Sequence, residues 1–345
     1  MTIRPIRFAI VGLGMASRPH LESLADLRGE IEVSGLFDRN DWKVAAACAA
    51  HGFPAFDSFD AVVDDPGTDA VIVLTPPNTR TGPIRRLAEA GKHVLCEKPL
   101  ERTPEAAAEI VRICEGCGVR LNVVFQHRYR PGAIALRRAM DAGDLGEIAC
   151  VRANLPWWRP QSYYDTPGRG TRDKDGGGVL LTQAIHQLDL MLSLIGPVDE
   201  VRAFAATSKL HQMECEDFVT AGFRTRDGVP GSIVATTAGY PGATESLIID
   251  GTRASARLVG GHLTVAPQDG APVAFGDEGL TGGGADPMAF TCDWHRDLIA
   301  DFARSIREDT PAPISGRDAL KVQRLIDALI RSASEGRTIR LDTGR

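Results

Sequence analysis

Phe8-Ala9-Ile10-Val11 runs without a break into Gly12-Leu13-Gly14, and this junction constrains the fold more than any other feature of the chain. Four apolar residues ending in a glycine turn read as a buried strand that feeds a helix, the opening of a dinucleotide-binding unit. Gly12 allows the tight turn and Gly14 the close approach of a pyrophosphate to the helix N-terminus, with Met15 and Ala16 completing the loop. Ser17 stands where the fingerprint has glycine or alanine, and is small enough for helix against strand. A helix over residues 18–27 and a second strand, Ile31–Phe37, lead to Asp38. A carboxylate there suits the two hydroxyls of an adenosine ribose and favours NAD, because it would repel a 2′-phosphate. Arg39, directly after it, could receive that phosphate, which keeps NADP open.

The alternation of strand and helix continues. Ala70-Val71-Ile72-Val73-Leu74 is apolar throughout, as a central parallel strand should be, and Thr75-Pro76-Pro77-Asn78-Thr79 stops it. Thr75, Pro76 and Asn78 are candidates to border the cofactor, although a plain strand-to-helix junction explains the prolines equally well. After a helix over 82–90, His93-Val94-Leu95-Cys96 delivers Glu97-Lys98-Pro99 to the carboxyl edge of the sheet. If the bond before Pro99 is cis, Lys98 leaves the strand line and faces the crevice where such sheets bind ligands. Glu97 is read on the nicotinamide side of it. A strand over 119–125 closes the series, and Gln126-His127-Arg128-Tyr129-Arg130-Pro131 breaks the rhythm. The expected division is therefore a dinucleotide-binding Rossmann domain over 1–125 and a substrate-binding and oligomerisation domain over 126–345.

A chain of 345 residues exceeds the usual size of one hydrophobic core. With 43% hydrophobic and 24% charged residues it has the make-up of a soluble enzyme. Its net charge of -6 gives a polyanion nothing to gain, which argues against nucleic acid. The apolar run before Gly12 is too short for a signal-peptide core or a membrane span, so the cytoplasm is the expected compartment and no membrane partner is expected. Seven cysteines without a targeting segment read as free thiols, and Cys114-x-x-Cys117 has no second pair to complete a metal site.

Beyond Gly146 the pattern changes to longer alternating strands over 147–155, 198–208, 216–225, 230–238, 245–250 and 254–259, a largely antiparallel open sheet. One face of such a sheet must be covered, which points to a homodimer or homotetramer. Pro156-Trp157-Trp158-Arg159-Pro160-Gln161-Ser162-Tyr163-Tyr164 is aromatic without periodicity. Flat rings with polar tips suit a sugar, sugar acid or cyclitol, and would equally suit an interface loop. Thr182 and His186, four apart, would share a helix face, with Leu181, Ile185, Leu188 and Leu192 as the buried stripe. His186 lies off the centre of that stripe and is the candidate acid/base. In the tail, residues 288–307 and 318–332 read as amphipathic helices, with His295 a surface residue, and residues 281–287 read as a flexible loop at the border of the cleft.

Taken together, Gly12-Leu13-Gly14, Cys96-Glu97-Lys98-Pro99-Leu100, the triplet Gly176 to Gly178, His186-x-x-Asp189 and the tail from Ser315 to Ala333 resemble the Gfo/Idh/MocA oxidoreductases. The resemblance implies an α/β chain in which an N-terminal Rossmann domain precedes an α/β domain with a large open, mainly antiparallel sheet. It implies a lysine, matching Lys98, that binds and polarises the reacting hydroxyl or carbonyl, and a histidine, matching His186, as acid/base. No metal is required, since these two side chains cover electrostatics and proton transfer. The family's sugar and inositol dehydrogenases generally carry an aspartate where this chain has Thr182, and a hydroxyl cannot offer an imidazolium a negative charge. Arg128, Trp158, Arg159, Tyr163, Tyr164 and Thr182 are the candidate substrate contacts beside His186. The competing expectations are an NADPH-dependent reductase of a keto sugar or nucleotide-linked sugar and a non-catalytic nucleotide sensor.

Overall fold

The computed structural model describes residues 4–276 and 291–341. The chain forms two compact units, one comprising Met1–Gln126 with Thr291–Leu320, the other His127–Phe290 with Lys321–Arg345. The run expected as a loop over 281–287 lies outside the described residues. Among the described residues, no helix is long and apolar enough to cross a membrane.

In the first unit β1 (Ile6–Val11), α1 (Ser17–Asp26), β2 (Ile31–Phe37), α2 (Asp41–His51), α3 (Phe59–Asp64), β3 (Ala70–Val73), α4 (Thr81–Glu89), β4 (His93–Cys96), α5 (Pro104–Gly116) and β5 (Leu121–Val123) follow one another. The strands make one parallel sheet in the order β2-β1-β3-β4-β5. Phe8, Ile10, Val71, Ile72, Val94 and Leu95 are fully buried, which is why these strands read as continuous apolar runs. The side chains of Asn40, Ser58 and Thr103 accept backbone N–H groups at the starts of α2, α3 and α5. Strand order reverses between β1 and β3, and ligands of such sheets bind beyond the carboxyl ends at that point.

The second unit holds α6 (Pro131–Asp141), β6 (Ile148–Pro156), α7 (Gln161–Tyr164), α8 (Ile185–Ile195), β7 (Val198–Ala206), β8 (Phe218–Thr225), β9 (Pro230–Thr236), β10 (Ser246–Gly251), β11 (Ala254–Val259), β12 (His262–Pro267) and β13 (Val273–Phe275). The nine-stranded sheet, completed by β14 (Ile339–Arg340), runs β13-β12-β11-β10-β6-β9-β8-β7-β14 and is antiparallel except where β6 meets β9. Three strands escape the sequence pattern. β12 buries only Leu263 and Val265, β13 is an exposed edge, and β14 (Ile339–Arg340) is two residues long, too short to show a period. Helices α6 and α8 pack on one face of this sheet.

The tail corrects the single cut at residue 125. α9 (Asp293–Arg307) packs on α1 and β1 of the Rossmann sheet, with Leu298, Ile299 and Phe302 fully buried and the Phe302 ring 6.2 Å from that of Phe8. Its apolar stripe was visible in the sequence, but an amphipathic stripe does not say which sheet it covers. α10 (Gly316–Glu335) begins in the first unit and ends in the second. His295, read as a surface residue, is 2% exposed.

Candidate active site

In the first unit the candidate site starts at the glycine turn. Gly12 has φ +97°, donates its N–H to Phe37 O at 2.8 Å, and lies so close to the end of β3 that a Cβ would sit 3.0 Å from Thr75 N. Only glycine tolerates both conditions. A Cβ on Gly14 would meet nothing within 4 Å, so the space above the loop is open. Ser17 closes the turn by donating its hydroxyl to Gly14 O at 2.7 Å. Asp38 braces the same loop, accepting the Leu13 N–H at 2.7 Å and the Asn40 N–H at 2.9 Å, and a carboxylate has lone pairs left for ribose hydroxyls. Arg39 beside it is exposed, as is Met15. Thr75 Oγ1 is buried and has no hydrogen-bond partner among the described residues. An open glycine loop at a helix N-terminus, a carboxylate beyond β2 and an orphaned hydroxyl beside Gly12 fit NAD.

Beyond β4 the Lys98–Pro99 peptide is cis, the geometry on which the sequence reading of Lys98 was conditioned. Glu97 is turned inward. One carboxylate oxygen accepts the Lys98 N–H at 3.0 Å, and the other lies 2.9 Å from His20 Nε2 on α1. Burial alone would push the Glu97 carboxyl up, but the His20 hydrogen bond and the Lys98 charge outweigh it and hold the carboxyl at about 2. His295 packs edge-on against His20 with ring centroids 5.1 Å apart, and burial pushes its imidazole down to about 3. His20, Glu97 and His295 each bring one ligand atom to within 4.8 Å of the others, a donor set the sequence did not disclose.

In the second unit His186 sits in the first turn of α8, buried, with its ring stacked on His127 at 4.8 Å and 24°. Arg130 lies 2.7 Å from His127 Nε2 and can only donate, so that nitrogen is the acceptor and the His127 proton is on Nδ1. Arg130 is paired in turn with Glu245, which also accepts the Trp157 indole N–H at 2.9 Å. The turn before the helix explains one glycine of its triplet: Gly178 N and Leu180 N donate to the Glu216 carboxylate, and a Cβ on Gly178 would fall 1.9 Å from Glu216 O. The helix does not start as a regular α-helix but as a π-turn, Leu180–Ala184, with Thr182 inside the turn and His186 just beyond it. The Thr182 hydroxyl turns back to Gly178 O at 2.6 Å.

The other expected substrate contacts have varied surroundings. Arg128 grips fully buried Asp189 through two bonds of 2.7 and 2.6 Å. Its guanidinium is thus engaged by a carboxylate from its own unit. Tyr164 is buried, its hydroxyl 2.6 Å from Thr237 Oγ1, and burial pushes its phenol up. Trp158 is half-buried against His211 and Tyr240. Tyr163 lies between two guanidinium groups, Arg159 at 5.8 Å and Arg169 at 5.2 Å from the ring centre, and its hydroxyl accepts from Gln183 Nε2 at 3.4 Å. Arg159, which is 2% exposed, Tyr163 and Gln183 thus form one cluster, while Arg128 and Tyr164 each have a polar partner within their own unit. Sequence reasoning missed His20, His127, Glu216 and His295. His127 alone carried a signal, being in the segment that breaks the βα rhythm.

The chain matches the model of an oxidoreductase family with an NAD-binding Rossmann fold over residues 6–125 and that of the Gfo/Idh/MocA C-terminal domain over 133–257. It is 26% identical to inositol 2-dehydrogenase of Rhizobium meliloti across 97% of this chain and 98% of that one. With D-xylose dehydrogenase of Paenarthrobacter nicotinovorans it shares 31% identity over 50% of this chain, spanning 45% of that relative. The WlbA dehydrogenase of Bordetella pertussis, crystallised with NADH and UDP-GlcNAcA, superposes with a TM-score of 0.83 at 32% identity, over 99% of this chain and 100% of that one. On these grounds the chain is an NAD-binding oxidoreductase belonging to the Gfo/Idh/MocA family.

Proposed function

We propose that the protein transfers hydride between nicotinamide and a carbon bearing a secondary hydroxyl or ketone in a sugar, sugar acid or cyclitol, with Lys98 polarising the oxygen and His186 as acid/base. Bound NAD supplies the hydride acceptor. In the oxidative direction neutral His186 takes the hydroxyl proton as the C–H bond gives up its electron pair, leaving a carbonyl and an imidazolium. Lys98 stabilises the negative charge that develops on the oxygen. Gly12, Gly14, Asp38 and Thr75 hold the cofactor, with Met15, Ala16, Arg39, Pro76 and Asn78 along its path. Glu97 holds the Lys98 backbone from within. Arg128, Trp158, Arg159, Tyr163, Tyr164 and Thr182 are the candidate substrate contacts, and half-buried Tyr163, whose hydroxyl meets Gln183, is the best supported of them.

The observation that carries the reading is an ammonium group mounted on a pinned turn at the carboxyl edge of a sheet whose neighbouring turn fits NAD. The likeness to the WlbA dehydrogenase favours a nucleotide-linked sugar as a second substrate class. Arg39 beside Asp38 keeps NADPH as the alternative reductant. We also infer that the sheet face carrying Phe204, 68% exposed, and Phe218, 39% exposed, seats a second copy in a homodimer or homotetramer. The test is NADH formation, followed by absorbance, against myo-inositol, D-xylose, glucuronate and UDP-GlcNAcA. His186→Ala and Lys98→Met should each lower kcat/KM about 10²–10⁴-fold with NADH affinity kept. Full activity in either variant would remove that residue from the mechanism.

A further inference from the structure

Arg80 ends the short turn Pro77–Thr79 that precedes α4, is 3% exposed, and has no part in the reaction just described. Its side chain is spent on the main chain. Nε donates to Thr75 O at 2.8 Å, and Nη1 donates to both Glu97 O and Pro99 O. These carbonyls belong to two turns, the one at the end of β3 that carries the orphaned Thr75 hydroxyl and the one at the end of β4 that carries Lys98. The Lys98 N–H is taken by the Glu97 carboxylate at 3.0 Å. A buried cation therefore holds the carbonyls on either side of Lys98, and a buried anion holds its N–H.

We propose that Arg80 is a positioning residue for hydride transfer, a bolt that fixes the Lys98 turn against the Thr75 turn so that the ammonium and the cofactor cradle keep one geometry. The inference rests on the reading of Lys98 given above. A guanidinium suits the task because its donors leave a rigid plane in fixed directions, reaching three carbonyls from two loops at once, whereas an ammonium is a compact point charge that cannot span them in that plane. Stability alone would ask only that the carbonyls be satisfied. Reaction geometry asks more, since a displacement of about 1 Å at a reacting group can cost about 10²-fold in rate.

The experiment is a double-mutant cycle on the full chain with Arg80→Lys and Lys98→Met, using whichever of myo-inositol, D-xylose, glucuronate or UDP-GlcNAcA the parent oxidises. Arg80→Lys should lower kcat about 10–100-fold, with KM and NADH affinity, read by fluorescence, within about 3-fold. In the Lys98→Met background the same substitution should cost less than about 3-fold, because the group it positions is gone. Hydrogen exchange supplies a readout without substrate or cofactor: the Lys98 amide should exchange about 10-fold faster in Arg80→Lys while the β4 amides keep their protection. Arg80→Ala with millimolar guanidinium ion is the second variant, and kcat should recover with guanidinium but not with ethylammonium. Equal losses in both backgrounds, an unchanged kcat in a folded Arg80→Lys, or a failure of guanidinium to restore kcat would overturn the proposal. Loss of activity in Arg80→Lys beside a fully active Lys98→Met would instead overturn the reading of Lys98 on which it rests.

Discussion

The two proposed reactive groups are held by opposite means. Lys98 stands on a turn whose backbone is fixed by full charges, the Glu97 carboxylate on one side and the Arg80 guanidinium on the other. His186 stands on a helix and faces a ring, His127, whose protonation is set by a donor from Arg130, while nearby Asp189 is already engaged by Arg128. The difference matches the two tasks. A group that supplies constant charge benefits from a rigid mount, whereas a group that must gain and lose a proton answers to the rings and charges packed around it. Thr182, which stands where the family resemblance implies an aspartate, has its hydroxyl turned back to the backbone at Gly178 O.

The comparison is broken most forcefully at the buried charge pair that Asp189, three residues along the helix from His186, makes with Arg128. Asp189 is fully buried, and Arg128 neutralises it through paired bonds. Arg128→Met should leave an uncompensated buried carboxylate and destabilise the second unit by about 3–5 kcal/mol, which chemical denaturation will measure. The double variant Arg128→Met with Asp189→Leu should recover most of that loss. If Arg128→Met leaves stability unchanged, the pair is not what settles Asp189.

The first unit should respond to acid instead. His295 has its imidazole held at about 3, below the ordinary value near 6.5, so between these limits the unfolded chain binds the extra proton and the folded chain does not. Stability contributed in this way is complete above pH 6.5 and is lost as pH falls toward 3, by about 1.4 kcal/mol per pH unit at most, or about 3 kcal/mol by pH 4. Glu97 adds to the loss once pH falls below its ordinary range near 4.5, since its folded value is about 2. Thermal unfolding of His295→Leu across pH 4–7 should show a flatter slope than the parent. An unchanged slope would mean that His295 is not buried in its neutral form.

The same contrast explains what could be read from the sequence. The glycine turn, the strand alternation and Glu97-Lys98-Pro99 were legible because each is local: a positive φ at Gly12, an apolar run or a residue at a strand end leaves its mark within a few positions. The surroundings of His186 were legible only at Asp189, three positions along the same helix; His127 and the Arg130–Glu245 pair behind it come from other segments, and no helix or strand spacing joins those to His186. The π-turn at Leu180–Ala184, which holds Thr182, leaves no mark in the apolar stripe either. His295 was hidden for a related reason, since a helical stripe shows that a surface is buried without naming its partner.

The smallest effect sharpens the comparison furthest, because it separates the ring of His127 from its nitrogen. His127→Gln keeps an acceptor for Arg130 and removes the stacked face, whereas His127→Phe keeps a face and leaves the Arg130 donor without its acceptor. If His186 depends on the ring, the glutamine variant should lose about 2–10-fold in kcat/KM with stability nearly unchanged, matching a stacking contribution of about 0.5–1.5 kcal/mol. The phenylalanine variant should keep its activity and lose about 1–3 kcal/mol of stability, the cost of a buried donor left unsatisfied. The crossing of the two results is the discriminating feature. Should both variants lose activity and stability in parallel, His127 would be an ordinary packing residue, and the tuning of His186 would have to come from the substrate side.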